Sequence, residues 1–430
     1  MAEYGESLTE REVEILEGVA TGATNREVAY RLGISTNTVK VHLRHIFTKL
    51  GAESRTEATM IAVRKGWVEV PAAQPSSPAP VRVQPLPLSR KVALVAAAVV
   101  VMAGTVASWP RPAESRRASA GLLPPQAGQE GDVRVAVGEE SNWSERAQMP
   151  TRRAGLALAV WERELYAISG EGPEGVSGVV EVYNADSDTW ERAAEKPTPT
   201  AYVAAGVVEG RIYVPGGRTS TGEATAAVEV YEPATDLWSE ASSLPLPLYA
   251  YAVAVYEGQI YVFGGTDDQE VLRTTYVYDP AGDAWEERAS MPEARTVAAA
   301  TTLGERIYVV GGFRDGRQLN TCAVYDPAEN RWDECAPLTV GRGGLGLVGL
   351  GGQLYAIGGG AYLGFNERYD PRSDRWTAVE TPLTGVWQAP GVALLDMAVY
   401  AVGGWTRGYE SLNLAFEPLP YRIFIPATER

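Results

Sequence analysis

In the first seventy residues the apolar positions recur at helical spacing. Val13, Leu16 and Ala20, with Ile15 and Val19 beside them, predict a helix over about Glu10 to Ala20. Ahead of it Thr9-Glu10-Arg11-Glu12 reads as a capping box, in which the Thr9 hydroxyl takes a first-turn amide and Glu12 reaches back to the Thr9 amide. Gly22 ends that helix. Asn25 caps a short second one with Val28, Ala29 and Leu32 inward, and Gly33 supplies the turn after it. Ser35 caps a third helix whose Val39, Leu43, Ile46, Phe47 and Leu50 face the core, and a fourth is expected from about Thr56 to Lys65. The pattern then changes. Val92 to Trp109, VALVAAAVVVMAGTVASW, carries no charge, and at about 1.5 Å per residue it reaches roughly 27 Å, near the thickness of a hydrocarbon core. It predicts a single transmembrane helix. A buried Ala/Val helix in a soluble core is the competing reading, but the Pro-rich, polar flanks leave such a helix nothing to pack on.

Residues 71–90 are rich in proline and read as an extended tether, and residues 110–140 as a second linker. From Trp143 onward short runs alternate with turn chemistry. Tryptophans at 143, 190, 238, 285, 332 and 376 are spaced by 47, 48, 47, 47 and 44 residues, the period of a repeat array. Each unit holds an apolar run, a Tyr, a Gly pair and a Tyr-Asx/Glu turn, as in IYVFGG with YVYDPAGDAW; the sixth, VYAVGG with LAFEP, lacks the Trp. Three or four short β runs per unit imply a four-stranded antiparallel sheet. Such a sheet cannot bury both faces alone, so six copies stack radially into a propeller over residues 141–426. Because Trp143 precedes its own blade, residues 142–148 should close the ring by completing the last blade, with the C-terminal YRIFIP competing for that edge or adding to it. Pairing Tyr325 with Trp332 across one turn sets Cys322 opposite Cys335, as a cross-strand disulfide or as two free thiols.

The net charge of −16 changes the picture because it lies wholly after residue 110, where 26 Lys and Arg face 44 Asp and Glu. So acidic a domain repels a phosphate backbone. No acidic residue occurs from Ile34 to Ala52, by contrast, and Lys40, Arg44 and His45 project from the third helix away from its apolar stripe, with Val41 between them. A short helix, a Gly turn and a longer helix form the helix-turn-helix plan. Both histidines, His42 and His45, lie on that third helix, too few ligands for a metal site. No metal and no cofactor is expected.

LTEREVEIL, TNREVAYRLGIS, TNTVKVHLRHIFTKLG and SRTEA together resemble the LuxR-type, or GerE-like, helix-turn-helix domain, over nearly all of a head spanning residues 1–67. That resemblance implies contacts to the bases of double-stranded DNA by Lys40, Val41 and Arg44. It further implies phosphate contacts by Asn25, Ser35 and Thr38, and self-association of the head on DNA through the fourth helix. The repeats resemble Kelch repeats. Some Kelch-type propellers hold copper with His and Tyr, but this region has no histidine, and the chain reads as no enzyme. Asp267, Asp268, Arg314, Asp315 and Arg407, just after the Gly pairs, are the candidate propeller-face residues, with solvated loop charge as the plain alternative. The expected fold is thus multidomain: a four-helix, all-α head, a transmembrane helix over residues 92–109, and an all-β six-bladed propeller. The expected function is a membrane-anchored one-component transcription regulator in the cell membrane, its N-terminal head cytoplasmic and its propeller extracytoplasmic, sensing an unknown ligand or protein. A surface adhesion propeller with a vestigial head, and a tethered sugar-active enzyme, are the alternatives.

Overall fold

A computed structural model describes residues 8–20, 25–50, 52, 58, 61, 141–360, 366–383 and 385–418 of the chain. The head contains α1 (Glu10–Ala20), α2 (Asn25–Leu32) and α3 (Thr36–Leu50). Ile15, Leu16, Val28, Val39 and Ile46 are wholly buried and form its core. The capping box closes as its chemistry requires: the Thr9 N–H donates to Glu12 Oε2 at 2.8 Å and the Glu12 N–H to Thr9 Oγ1 at 3.3 Å. Glu12 also accepts Lys49 Nζ at 3.0 Å, which ties α1 to the end of α3. Burial opposes the charge on Glu12, yet the Thr9 N–H, Lys49 and the Thr9 hydroxyl together hold its carboxyl below the ordinary value. Of the expected fourth helix only Ala58 and Ile61 are described. Both are helical, and Ala58 is buried in the same core.

Residues 141–418 form six four-stranded antiparallel sheets. The innermost strands, Ala157–Trp161, Gly206–Val208, Ala252–Tyr256, Ala299–Leu303, Leu345–Leu350 and Gly391–Leu395, each touch the next and surround a central bore. Trp143–Glu145 is the outermost strand of the last sheet, antiparallel to Asn413–Phe416, so the first strand of the domain closes its ring. The C-terminal YRIFIP lies outside the described residues.

The repeated tryptophans join neighbouring blades. Trp190, Trp238, Trp285, Trp332 and Trp376 each donate Nε1–H to the carbonyl of Ala147, Ala194, Ser242, Ala289 and Ala336, at 2.7 to 2.8 Å. The N–H of that same acceptor residue donates to the Asx carboxyl or amide oxygen of the next blade's turn, Asp188, Asp236, Asp283, Asn330 or Asp374. The Asx oxygen in turn accepts a Tyr hydroxyl five residues earlier, as Tyr183 gives to Asp188 at 2.7 Å. In the sixth blade Phe416 replaces the Tyr, so no hydroxyl is available. There Trp143 stacks on Phe416 with centroids 4.9 Å apart and donates to the Glu380 carbonyl at 3.0 Å.

A second closure runs at the inner rim. Gly155, Tyr202, Ala250, Val297, Gly344 and Ala389 precede or open the six innermost strands, and each donates its N–H to the carbonyl of the one before it, Gly155 completing the circle on Ala389, at 2.7 to 3.0 Å. All six have positive φ, from 46° at Val297 to 67° at Gly344. For Val297, a β-branched residue, that conformation is strained, and it persists because the hydrogen-bonded hoop fixes it.

One part of the expected fold class is corrected. The described helices have 11, 8 and 15 residues, so the longest reaches about 22 Å, short of the roughly 30 Å needed to span a bilayer. Each also carries charged side chains on one face. No helix of the described residues is long and apolar enough to cross a membrane, and a transmembrane helix is not among the elements found. Val92 to Trp109 and both linkers lie outside the described residues.

Candidate functional site

The surface of α3 is set by its own periodicity. Val39, Leu43 and Ile46 turn into the core, which forces Lys40, Arg44 and His45 outward, and all three are exposed. Val41 is 41 % exposed, an apolar side chain left in water between two cations. The helix sequence TNTVKVHLRHIFTKL contains no carboxylate to neutralise that face. At its N-terminus the Ser35 hydroxyl accepts the Thr38 N–H at 3.0 Å and lies 2.8 Å from the Thr38 hydroxyl. The capped end presents its remaining amides and the positive pole of the helix, a setting suited to a phosphate. Lys40, Val41, Arg44, Ser35 and Thr38 therefore lie on one helix and its cap. Asn25 opens α2, but its side chain lies outside the described residues.

The charged loop residues of the propeller have separate uses. Asp267 accepts the N–H groups of Gln269 and Glu270 at 3.0 and 2.9 Å and so builds its own turn. Asp268 accepts the Ala224 N–H from the neighbouring blade at 2.7 Å. Arg314 and Asp315 pair with each other at 3.1 Å on the surface, and Arg407 is exposed. Beside the last three, in the same two loops, Phe313, Gln318, Trp405 and Tyr409 turn inward over the hoop and line a cavity with Tyr202 and Gln388. At its edge Arg218 meets Glu171 at 2.7 Å and lies over the Tyr202 ring, 5.2 Å from the centroid. Burial, with Glu171 next, pushes the Tyr202 hydroxyl well above its ordinary value; burial and then Asp268 push Tyr249 to about 12.

Sequence reasoning missed a set of buried cations. Arg153, Arg295 and Arg342 each lie two residues before a hoop residue and donate to the carbonyls of Ser169, Gly311 and Gly358, at 2.7, 2.9 and 2.8 Å. Arg153 meets Glu181 at 2.8 Å and Arg342 meets Glu367 at 3.0 Å, all four side chains buried, and Lys196 pairs with Glu229 in the same way. The signal was present in MPTRR and MPEAR, which lie 142 residues apart, about three repeats. Cys322 and Cys335 face each other in register and form a disulfide with Cα atoms 5.1 Å apart. Among the described residues no group of three or more His, Cys, Asp or Glu side chains is placed to hold a metal.

Comparison with known proteins separates the two halves. Residues 6–62 match the family described as bacterial regulatory proteins of the luxR family, and residues 204–404 match the KLHDC2/KLHL20/DRC7 Kelch-repeats domain. The chain is 51 % identical over 63 residues to the transcriptional regulatory protein YdfI of Bacillus subtilis (strain 168), which covers 15 % of this chain and 30 % of that one. It is 43 % identical over 58 residues to the nitrate/nitrite response regulator protein NarP of Escherichia coli (strain K12), covering 14 % of this chain and 27 % of NarP. Less than a third of each relative is therefore spanned, and these relatives are named as regulators, not enzymes. Among solved structures, "Structure of YjhT" superposes with a TM-score of 0.56 at 17 % identity, covering 63 % of this chain and 96 % of that one, a likeness of fold. The chain joins a LuxR-type helix-turn-helix head to a six-bladed Kelch-repeat propeller.

Proposed function

We propose that this chain is a transcription regulator whose head binds specific sites in double-stranded DNA and whose propeller receives the signal. One observation carries the reading: an acid-free α3 presents Lys40, Val41 and Arg44 together, within the segment that matches the luxR family. A cation flanking an exposed apolar side chain suits a base edge and a thymine methyl group in the major groove. The acidic propeller takes no part in that contact. Its disulfide supports maturation in an oxidising compartment, with the head working on chromosomal DNA in the cytoplasm. Ligand binding or clustering at the propeller brings two heads together and raises their effective concentration for a paired site.

The test is binding of the intact protein to genomic DNA fragments, followed by affinity for the enriched sequence and for a scrambled copy. Arg44→Ala and Lys40→Ala should each weaken binding to the enriched sequence by about 1 to 3 kcal/mol and relax its preference. If both variants keep the wild-type ratio between the two DNAs, the assignment fails.

A further inference from the structure

Each blade turns a column of side chains toward the next blade, and in the first blade that column is unlike the rest. Glu164, Asn184 and Thr189 stand opposite one another across three strands, and Tyr166, Val182 and Glu191 form the row beside them. Both rows face Tyr231 and Asp236 of the second blade across a cleft of about 250 Å³. The Tyr166 and Tyr231 rings lie 5.9 Å apart in it. Glu164 accepts the Tyr166 hydroxyl at 2.9 Å and Asn184 Nδ2 at 3.3 Å, which orients its carboxylate. Arg192 also borders the cleft, but strand side chains alternate and its own leaves the other face, opposite Glu181, where its charge reaches Arg153.

Two sister blades show what fills this place. The third and fourth blades also put a carboxylate where Glu191 stands, and in both a guanidinium meets it. Glu286 pairs with Arg288 at 3.1 Å. Asp333 pairs with Arg331 at 2.8 Å and with Arg306 at 3.5 Å. In the first blade those three arginine positions are held by Ala193, Thr189 and Glu164. Among the described residues no cation meets Glu191 or Glu164. The first repeat thus keeps the anion, adds a second, and leaves out every cation that those two blades supply.

We propose that this cleft receives a guanidinium group from outside the chain, the arginine side chain of a partner protein. A guanidinium carries five N–H donors in one plane, so it can give to Glu191 and Glu164 together while its flat face rests on a tyrosine ring. A lysine ammonium meets the charge but has neither the plane nor the fork. A neutral urea group keeps the shape and loses the charge. The cleft opens on the flank of the propeller beside the outermost strand Thr189–Ala193, where a side chain can enter while its own backbone stays outside. It belongs to the propeller alone, and its occupancy is independent of DNA binding by the head.

The full-length protein is titrated at low salt with acetyl-Gly-Arg-Gly-amide, its lysine and citrulline counterparts, and propylguanidine, by saturation-transfer NMR. Saturable binding of the arginine peptide is expected, with the lysine peptide about threefold weaker and the citrulline peptide at least about tenfold weaker. Glu191→Gln, checked by circular dichroism and thermal melting, should weaken the arginine peptide by about fivefold or more. Glu286→Gln changes the net charge equally at a site that already holds Arg288, and should leave binding unchanged. Thr189→Arg restores the arginine of the fourth blade, fills the cleft from within and should abolish binding. Should Glu191→Gln not fold, Thr189→Arg decides. No saturable binding of the arginine peptide, equal binding of the citrulline peptide, an equal response to Glu191→Gln and Glu286→Gln, or full binding by Thr189→Arg overturns the proposal. Propylguanidine binding with the arginine peptide excluded overturns the assignment to a protein side chain, whereas binding of both supports it.

Discussion

Trp143→Ala tests whether the first strand of the propeller holds the ring shut. Trp143 is 1 % exposed, stacks on Phe416 at 4.9 Å, meets the edge of Trp387 at 6.4 Å, and donates to the Glu380 carbonyl at 3.0 Å. Truncating a buried aromatic side chain to alanine costs about 3 to 5 kcal/mol. Leaving the Glu380 carbonyl without its donor adds on the order of 1 kcal/mol, so about 5 kcal/mol is expected in all. That is a large share of the roughly 5 to 15 kcal/mol that holds an ordinary domain together. Urea unfolding of the full-length protein, followed by circular dichroism, reads the loss directly. With an m-value of about 3 kcal/mol/M the midpoint should fall by about 1.5 M. Trp143→Phe keeps the stack and removes the N–H, so it should fall by less than half as much. Leu237→Ala, at a side chain 64 % exposed, serves as a control with a shift inside about 0.5 kcal/mol. A Trp143→Ala midpoint equal to that control would refute closure by this strand.

Three other outcomes are expected. The Asp188 carboxyl is held below its ordinary value of 3.8 by the Ala147 N–H and then the Tyr183 hydroxyl, against burial, so its contribution is present above pH 3.8 and is lost as pH falls through the lowered folded value. Asp188→Asn, imitating Asn330 in the fourth blade, should lower the urea midpoint modestly at pH 7 and bring it closer to wild type at about pH 3, so that the acid loss of stability flattens. Gly265→Ala, where φ is 91° and a Cβ would meet the Tyr249 carbonyl at 2.7 Å, should cost at least about 2 kcal/mol by thermal unfolding, whereas Gly304→Ala, with φ of 61° and nothing within 4 Å, should cost about 1 kcal/mol. Breaking the Cys322–Cys335 bond, by reductant or by Cys322→Ser with Cys335→Ser, should lower propeller stability by about 3 kcal/mol for its separation of 13 residues, and thiol labelling of the unreduced protein should find no reactive cysteine.

Features that depend on regular spacing were legible in the sequence. The bounds of α1 and α3 follow from Thr9, Ser35 and the apolar stripe, because a cap and a 3.6-residue period act locally. The tryptophan spacing gave the number of blades, and the early position of Trp143 gave the closing strand. The hoop was not legible, since Tyr202, Ala250, Val297 and Ala389 carry no glycine to announce a positive φ. Only the tertiary circle imposes that conformation on them. The cavity over the hoop was half legible. Its loops follow from their place after the Gly pairs, but the residues there that stand out in sequence are the charged Arg314, Asp315 and Arg407. Phe313, Gln318, Trp405 and Tyr409 look like ordinary core or turn residues until the neighbouring blades set them around one axis.

The hoop carries a consequence for how this scaffold could be altered. Its six bonds run from amide to carbonyl, and Gly, Tyr, Ala and Val already occupy its positions. Closure at that level is therefore indifferent to side-chain identity wherever the backbone angle can be reached. The residues that shape the opening stand on loops above a circle that none of them holds together. A designer could exchange Phe313, Gln318, Trp405 or Tyr409 to reshape that opening and leave the circle intact.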